Sequence, residues 1–553
     1  MKPFIRLLKY CWIALLFLPL HLHSLSLSDE EFDAVKDAFE LWGVFFREIV
    51  SDYPLDFDPM EFVDASIEGA LSVLDPYTAV LDDRYPELNK MLPGRIYTYL
   101  GFKAFVLDGM ITVSEVIKNS TAEEEGVKIG DIVYKIDSTI IYKEPIDSIE
   151  EYNNGRNDTK CDVWLLRNNL RDTIKTVLNR KFVWPDDLCY YSIYQDSIAY
   201  LKIVDFSYSL STEARVAFDE LKDIFDLKGL IIDLRDNGGG LLSSAATLCS
   251  LFVKKNTSIV NVKGKEDARN DDEFETADDP VDIKIPIAVL INGMTASASE
   301  VVAGALQDLD RAIILGEQSY GKGLVQTEKD LDLDKALIIT VAKTYLPSGR
   351  CIQKLDHSKR KPENAEKSIS KDTVFYTKNG RKVYGSAGII PDSIIPEIKL
   401  GDFVQELIDS SLIFRFATLW AENHQLNDFL EKTDDLADDF SSFLDSSKIL
   451  LKTTSEFELA NILQNLNANS ADESIKHKCN ELKESLKKHR NSLIKKDLES
   501  LNLTLIKELE RRYYSQDEIY KRSLAKDKLV HIASTLLNRE KYNEILKNNK
   551  KDK

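Results

Sequence analysis

Three residues define the chemistry this sequence can offer: Ser297, Lys322 and Gln326, all within Asn292–Gln326 (NGMTASASEVVAGALQDLDRAIILGEQSYGKGLVQ). A serine hydroxyl attacks a carbonyl only when an adjacent base takes its proton, and the usual base is histidine. The seven histidines are His21, His23, His357, His424, His477, His489 and His531, so none lies between residues 24 and 356. Lysine is the remaining candidate. To accept a proton near neutral pH, Lys322 must fall from an ordinary pKa of about 10.4 to roughly 7 or 8, and burial away from water produces that shift. On a strand, Lys322, Leu324 and Gln326 share one face, which would let the Gln326 amide hold the lysine amine.

These residues need a scaffold, and the flanking sequence supplies one. The apolar run Pro286–Ile291 reads as a buried strand and Asn292–Ala296 as the turn that ends it. Ser297-Ala298-Ser299-Glu300 then matches the S-x-x-E helix start, with Val301, Val302, Ala305 and Leu306 as the apolar face of the helix. Ser297 thus stands at the tip of a strand-turn-helix with the Ala298 amide behind it, where first-turn N–H groups point at any oxyanion formed. The same serine could serve only as a helix cap, and Lys322, between two glycines, only as an exposed turn residue. Gly316–Gly323 also spells G-x-x-x-x-G-K-G, close to a phosphate-binding loop. Gly323 stands where that loop needs Ser or Thr, and strands rather than a helix follow, so the nucleotide reading is excluded.

The stretch resembles the catalytic block of the carboxyl-terminal processing peptidases, or tail-specific proteases, which use a serine-lysine mechanism. The family blocks S-A-S-A-S-E, A-G-A-L-Q-D and G-x-x-S-[FY]-G-K-G-x-V-Q are matched in order and spacing, with Thr295 in place of the first serine. The resemblance implies Ser297 as nucleophile, Lys322 as base and Gln326 as the residue that orients it. It also implies an oxyanion hole made by the Ala298 amide and an amide of Gly239 or Gly240, in the run DLRDNGGGLL, where Gly238 replaces a usual proline. No metal or cofactor is implied.

With 553 residues the chain has room for several domains. Residues 1–27 carry Lys2, Arg6 and Lys9 before the apolar run Cys11–Leu20 and read as a signal peptide, or, uncleaved, as an inner-membrane anchor. Export would make the protein periplasmic. Residues 28–92 are helical in pattern and end in the family-like string LSVLDPYT; they are expected to pack or dimerise without chemistry. Residues 93–175 resemble a PDZ domain through AEEEGVKIGDIVYKID, with Tyr99, Leu100, Gly101 and Phe102 in the place of its carboxylate-binding loop. Residues 176–400 alternate strands and helices and read as an α/β core, which the family resemblance implies to be of the ClpP/crotonase-like type. An insertion at 354–387, with an Asn379-Gly380 hairpin turn, would be a surface feature bordering the cleft. Residues 401–553 form a charged helical extension that the family does not require, so the expected fold is multidomain α/β.

A net charge of −20, from 92 acidic and 72 basic residues, argues against a nucleic-acid partner. The scattered cysteines beyond the signal, Cys161, Cys189, Cys249, Cys351 and Cys479, give neither a disulfide framework nor a zinc set. The sequence therefore reads as an exported serine endopeptidase that captures protein or peptide substrates by their C-termini. An adaptor protein, a homo-oligomer and peripheral membrane attachment are compatible with it. The alternative is a noncatalytic PDZ scaffold for envelope-protein tails, against which the intact serine, lysine and glutamine weigh.

Overall fold

The structure is a computed structural model. It describes residues 28–82, 97–142, 157–167, 170–183, 186–265, 271–331, 335–354, 373–385, 388–396, 400–431, 436–446 and 473–547, with short pieces between 455 and 463. The expected export segment 1–27 and residues 355–372 of the insertion lie outside the described residues.

Among the described residues two helices come first, α1 (Asp29–Asp52) and α2 (Pro59–Leu71), followed by strand β1 (Ala79–Asp82). Ser28 caps α1, accepting from Glu31 N (3.3 Å) while its own N–H donates to Glu31 Oε2 (3.0 Å). The β-rich domain comprises β2 (Tyr97–Tyr99), β3 (Phe102–Leu107), β4 (Met110–Val116), the short helix α3 (Thr121–Glu124), β5 (Ile132–Ile136), β6 (Thr139–Ile140), β7 (Lys160–Arg167), β8 (Asp172–Asn179) and β9 (Lys181–Val183). Its sheet runs β3-β4-β5-β7-β8 around a core that includes Leu100, Phe102, Val113, Val133 and Val163. The domain extends past the expected boundary at 175, because β8 pairs with β7 as far as Asn179 and β9 pairs with β2.

The catalytic core follows as β10 (Leu188–Tyr194), β11 (Ile198–Ile203), α4 (Leu210–Ile224), β12 (Gly229–Asp233), α5 (Leu242–Ser250), β13 (Ser258–Gly264), β14 (Asp272–Glu275), β15 (Ile287–Ile291), α6 (Ala298–Asp308), β16 (Ile313–Gly316), β17 (Leu324–Leu331), β18 (Lys335–Tyr345), β19 (Val374–Tyr376), β20 (Lys382–Tyr384) and β21 (Ser393–Ile394). The main sheet has the order β10-β11-β12-β15-β16-β21, with β11 to β21 parallel and β10 antiparallel at one edge. The strands GLIID, IAVLI and IILG are buried along their whole length, as a sheet covered on both faces demands. One face packs on α4, α5 and α6 through residues such as Phe218, Cys249, Phe252 and Leu306. A second sheet joins β1, β18, β13 and β14 in that order, with β17 paired to β18, so the N-terminal segment contributes a strand to the core.

The tail is α7 (Asp402–Asp409), α8 (Leu412–Asn423), α9 (Leu426–Glu431), α10 (Leu436–Ser446), α11 (Glu473–Lys496), α12 (Leu498–Tyr513), α13 (Gln516–Lys526), α14 (Lys528–Leu536) and α15 (Arg539–Lys547). Its first helices share a core around Phe416, Trp420, Phe429, Phe440, Leu505 and Leu509. Its last two cover the other face of the main sheet: Leu529, Val530, Ala533, Leu537, Tyr542 and Leu546 pack on Tyr200, Ile231, Leu290, Ile313 and Leu315. The expected extension is therefore partly a layer of the catalytic fold.

One more expectation changes. The Asn379-Gly380 hairpin forms as β19–β20, but it does not border the cleft. Buried Arg381 ties it to Asp310 and Asp392 and donates to Gln307 O (3.0 Å), at the C-terminal end of α6. Eleven residues of helix, about 16 Å at 1.5 Å per residue, separate that end from Ser297. The described cysteines are all free, with Cys161 and Cys249 buried.

Candidate active site

The turn from β15 into α6 is held from within and from both sides. Thr295 Oγ1 donates to Leu234 O (2.8 Å) and accepts from Asn292 N (3.0 Å). Asn292 Nδ2 donates to Asp236 Oδ1 (2.8 Å), Ala296 N donates to Asn237 O (3.0 Å), and Tyr320 N donates to Thr295 O (2.9 Å). Of the three neighbouring hydroxyls, Thr295 and Ser299 are fully buried and Ser297 alone reaches solvent. The Ser297 backbone (φ 56°, ψ −119°) departs from the extended conformation of a capping serine. A non-glycine residue held at positive φ is a strained placement that clusters at functional sites.

Glu300 joins this turn to the lysine loop. Its fully buried carboxylate accepts four hydrogen bonds: from Ser297 N (2.9 Å) and Lys322 N (2.8 Å) on Oε2, and from Gly321 N (2.7 Å) and Ser319 Oγ (2.5 Å) on Oε1. Because Oε2 serves both Ser297 N and Lys322 N, those two nitrogens lie within about 6 Å of each other. Burial pushes the Glu300 carboxyl up to about 7, against the pull of these same donors. The helix-start pattern picks out Glu300 in the sequence. Its partners at 319–322, however, become visible only when the fold closes.

The Lys322 amine lies 4.7 Å from the centre of the Tyr77 ring and makes no hydrogen bond to Ser297 Oγ. Burial lowers its pKa, while the Asp75 and Glu300 carboxylates raise it. Tyr77 belongs to the Asp75-Pro76-Tyr77-Thr78 turn of the N-terminal region, which was expected to carry no chemistry. That turn is instead part of the site. Asp75 Oδ1 accepts from Tyr77 N (3.0 Å) and Thr340 Oγ1 (3.0 Å), and Oδ2 accepts from Thr78 Oγ1 (3.0 Å). Strand pairing of β1 with β18 brings it there, a long-range contact that local patterning does not reveal.

Gln326 does not hold the lysine amine. Its Nε2 donates to Thr340 Oγ1 (3.2 Å), linking it to Asp75. Two-residue alternation failed because Lys322 precedes β17 and the register shifts between Val325 and Gln326.

The glycine loop lies against the serine. A Cβ on Gly239 (φ +105°) would come within 2.7 Å of Ser297 Cβ and 2.8 Å of Ala298 N, so only glycine fits there. The Gly239 N–H donates to Asn237 Oδ1 (2.8 Å), which removes it from the expected oxyanion pair. Among the described residues, the amides of Gly240 and Ala298 donate to no protein acceptor. Also among the described residues, no group of His, Cys, Asp and Glu could hold a metal ion.

Peptidase family S41 matches residues 197–358, and the family described as "Probable PDZ-protease, C-terminal helical domain" matches residues 403–537. The carboxy-terminal processing protease CtpA of Bacillus subtilis (strain 168) is 30% identical over 332 residues, 60% of this chain and 68% of its own. A carboxy-terminal-processing protease of Bartonella bacilliformis is 31% identical over 317 residues, 56% of this chain and 72% of its own. The chain belongs to the carboxy-terminal processing peptidases of family S41. Among solved structures, the photosystem II D1 C-terminal processing protease aligns at 23% identity with a TM-score of 0.36, covering 65% of this chain and 88% of its own.

As an S41 peptidase the chain is a serine-type peptidase, and its other sequence blocks act as braces. Gln353 Oε1 accepts the Gly323 N–H (2.7 Å), so Lys322 is held on one side by Glu300 and on the other by Gln353. Gln307 Nε2 donates to Ile390 O (3.0 Å) and Asp392 Oδ1 (3.1 Å), and its Oε1 accepts from Arg350 Nη2 (2.8 Å). Buried Arg350 pairs with Asp308 at 2.8 Å. Residues 305–308, 349–353 (GRCIQ) and 388–392 (GIIPD) thus fasten the end of α6 to the segments that carry the lysine loop.

Proposed function

We propose that this S41 peptidase is an exported endopeptidase that works through a Ser297–Lys322 dyad and takes its substrates by their C-terminal segments. The observation that carries the dyad is the shared acceptor Glu300 Oε2, which keeps the serine and lysine backbones within about 6 Å of each other. A rotation of the Lys322 side chain off the Tyr77 ring brings its neutral amine to Ser297 Oγ. The amine takes the hydroxyl proton as Oγ attacks the peptide carbonyl, and the amides of Ala298 and Gly240 receive the oxyanion. The resulting ammonium protonates the leaving amine, and Lys322 then activates water to release the acyl group. Gln326 acts through Thr340 and Asp75, by fixing the turn on which the lysine rests.

The β-rich domain has features that suit a PDZ role. The Gly101 carbonyl accepts from Ile117 N (2.9 Å) and Ser120 Oγ (3.1 Å), which fixes that peptide plane, and the amides of Leu100 and Gly101 donate to no described group. The buried side chains of Leu100 and Phe102 anchor the loop, and among the described strands β3 lies at the edge of its sheet, the place where an extended peptide would add as a strand. The match of the tail to a family named for PDZ-proteases supports the same reading. For export, the support is the charge and hydropathy pattern of residues 1–27. No described helix is long and apolar enough to cross a membrane. The exposed Phe39, Trp42 and Phe45 of α1 offer an apolar face suited to a homo-oligomer.

The test is a peptide pool with free or amidated C-termini, digested by the purified protein and read by mass spectrometry. Wild type should cut free acids in preference to amides. Ser297→Ala should bind without cutting, and Lys322→Ala should lose turnover. Full proteolysis by Lys322→Ala would end the dyad reading, and equal cutting of amides would end tail capture.

A further inference from the structure

Helix α13 lies between the β-rich domain and the catalytic loop. At its start, Asp517 Oδ2 pairs with Lys118 Nζ of the β-rich domain (2.7 Å). Midway, the Tyr520 ring stacks on Tyr190 of β10, with centroids 5.3 Å apart. Asp527, the residue after its end, does two things at once. Its Oδ1 caps α14, accepting from Leu529 N (2.8 Å) and Val530 N (3.0 Å), and its Oδ2 accepts from Arg235 Nη2 (2.7 Å).

Arg235 opens the glycine loop that faces Ser297. Its guanidinium folds back on Asp233, with Nε to Oδ1 at 3.0 Å and Nη2 to Oδ2 at 2.6 Å. Fully buried Asp233 also accepts from Tyr200 Oη (2.7 Å) and Lys202 Nζ (3.3 Å), and Lys202 Nζ donates to Arg235 O (2.6 Å). Two cations, Lys202 and Arg235, therefore face two anions, Asp233 and Asp527, and the balance holds only while the tail is docked. An unbalanced buried cation is strongly disfavoured, so without Asp527 the Arg235 side chain is drawn towards water. The segment it anchors sets the nucleophile turn: Leu234 O accepts from Thr295 Oγ1, the Asp236 side-chain Oδ1 from Asn292 Nδ2, and Asn237 O from Ala296 N.

We propose that Asp527 is a positioning residue for the reaction, supplied to the catalytic loop by the C-terminal helical domain. This inference rests on the reading of Ser297 as the nucleophile. Asp527→Asn keeps a helix cap and loses the charge, whereas Asp527→Glu keeps the charge. Leu537→Ala loosens the same docked segment by packing alone, since Leu537 meets Gly229.

The experiment measures kcat and KM of the full chain on fluorescein-labelled casein, together with Tm for each variant. Asp527→Asn should lower kcat about tenfold with KM unchanged. Asp527→Glu should recover most of that loss, and Leu537→Ala should lower Tm while leaving kcat near wild type well below its melting point. Wild-type kcat in Asp527→Asn overturns the proposal. So does an equal loss of kcat in Leu537→Ala, and so does failure of Asp527→Glu to exceed Asp527→Asn. If Asp527→Asn does not fold, Asp527→Ser, which also caps without charge, takes its place with the same expectation. Undiminished turnover by Ser297→Ala would instead mark failure of the nucleophile reading, a result separate from all of these.

Discussion

Glu300 is the residue on which the site's geometry turns, because one carboxylate holds the serine turn and the lysine loop together. Its folded pKa, about 7, lies above the ordinary value of 4.5. The stability it contributes is therefore present below pH 4.5 and is lost as the pH rises through about 7, where keeping it ionised costs about 3 kcal/mol. Lys322 runs the other way: burial depresses its pKa, so its contribution is present above the ordinary 10.5 and is lost as the pH falls through the folded value. On the proposed dyad, the competent form has ionised Glu300 and neutral Lys322, so it gains population with rising pH while Glu300 destabilises the fold. For wild type, kcat/KM should rise with pH on the acid side, while Tm relative to Glu300→Gln should fall between about pH 4.5 and 7. Glu300→Gln has one acceptor oxygen for four donors and should lose kcat on the order of 100-fold. Unchanged kcat together with an unchanged difference in Tm would show that the carboxylate does not position the loop. The strand-turn-helix around Ser297 is legible in the sequence because an apolar strand, a turn and a helix start fall there in order. The clamp is not, since Glu300 and its loop partners are 19 to 22 residues apart and meet only through tertiary closure.

At the scale of elements, regular patterns carried the prediction and irregular ones defeated it. The strand β15 and the hairpin β19–β20 follow from an apolar run and an Asn-Gly turn, and they form where expected. Gln326 was misplaced because a bulge breaks the alternation that its expected contact needed. Local patterning makes the Asp75–Thr78 turn look inert, because nothing in it tells that β1 pairs with β18 and carries Tyr77 to the lysine amine. Asp75 gives this turn a measurable role. Its charge raises the Lys322 pKa, while its Oδ1 accepts from Thr340 Oγ1. Asparagine keeps an acceptor and removes the charge. In Asp75→Asn the acid limb of the kcat/KM profile should therefore move to lower pH than in wild type, because a neutral amine is easier to maintain. An acid limb that stays in place, or moves upward, would mean that the turn does not act on Lys322 through charge.

Across the whole molecule, the tail and the N-terminal helix make opposite claims on stability. Helix α1 buries none of its residues, whereas α14 and α15 set Leu529, Val530, Leu537, Tyr542 and Leu546 against the main sheet. A charge-rich tail looked separable in sequence because its few apolar residues are spaced for one helical face, and the sequence does not say what that face covers. The distinction can be put as energy. Burying a large apolar side chain stabilises by about 2 kcal/mol, so the five together contribute on the order of 10 kcal/mol, comparable to the whole stability of a typical domain at roughly 5–15 kcal/mol. Ending the chain at Asp527 also bares Ile231, Leu290, Ile313 and Leu315 on the sheet, which favours aggregation over a native core. Removal of residues 528–553 should therefore abolish the cooperative melt followed by circular dichroism. Removal of residues 28–52 should leave the core's Tm within a few degrees of the full chain. A chain ending at Asp527 that melts cooperatively near the wild-type Tm would show that the last two helices are an appendage. Loss of the melt on removing α1 would show that its exposed face is covered by a second copy needed for folding.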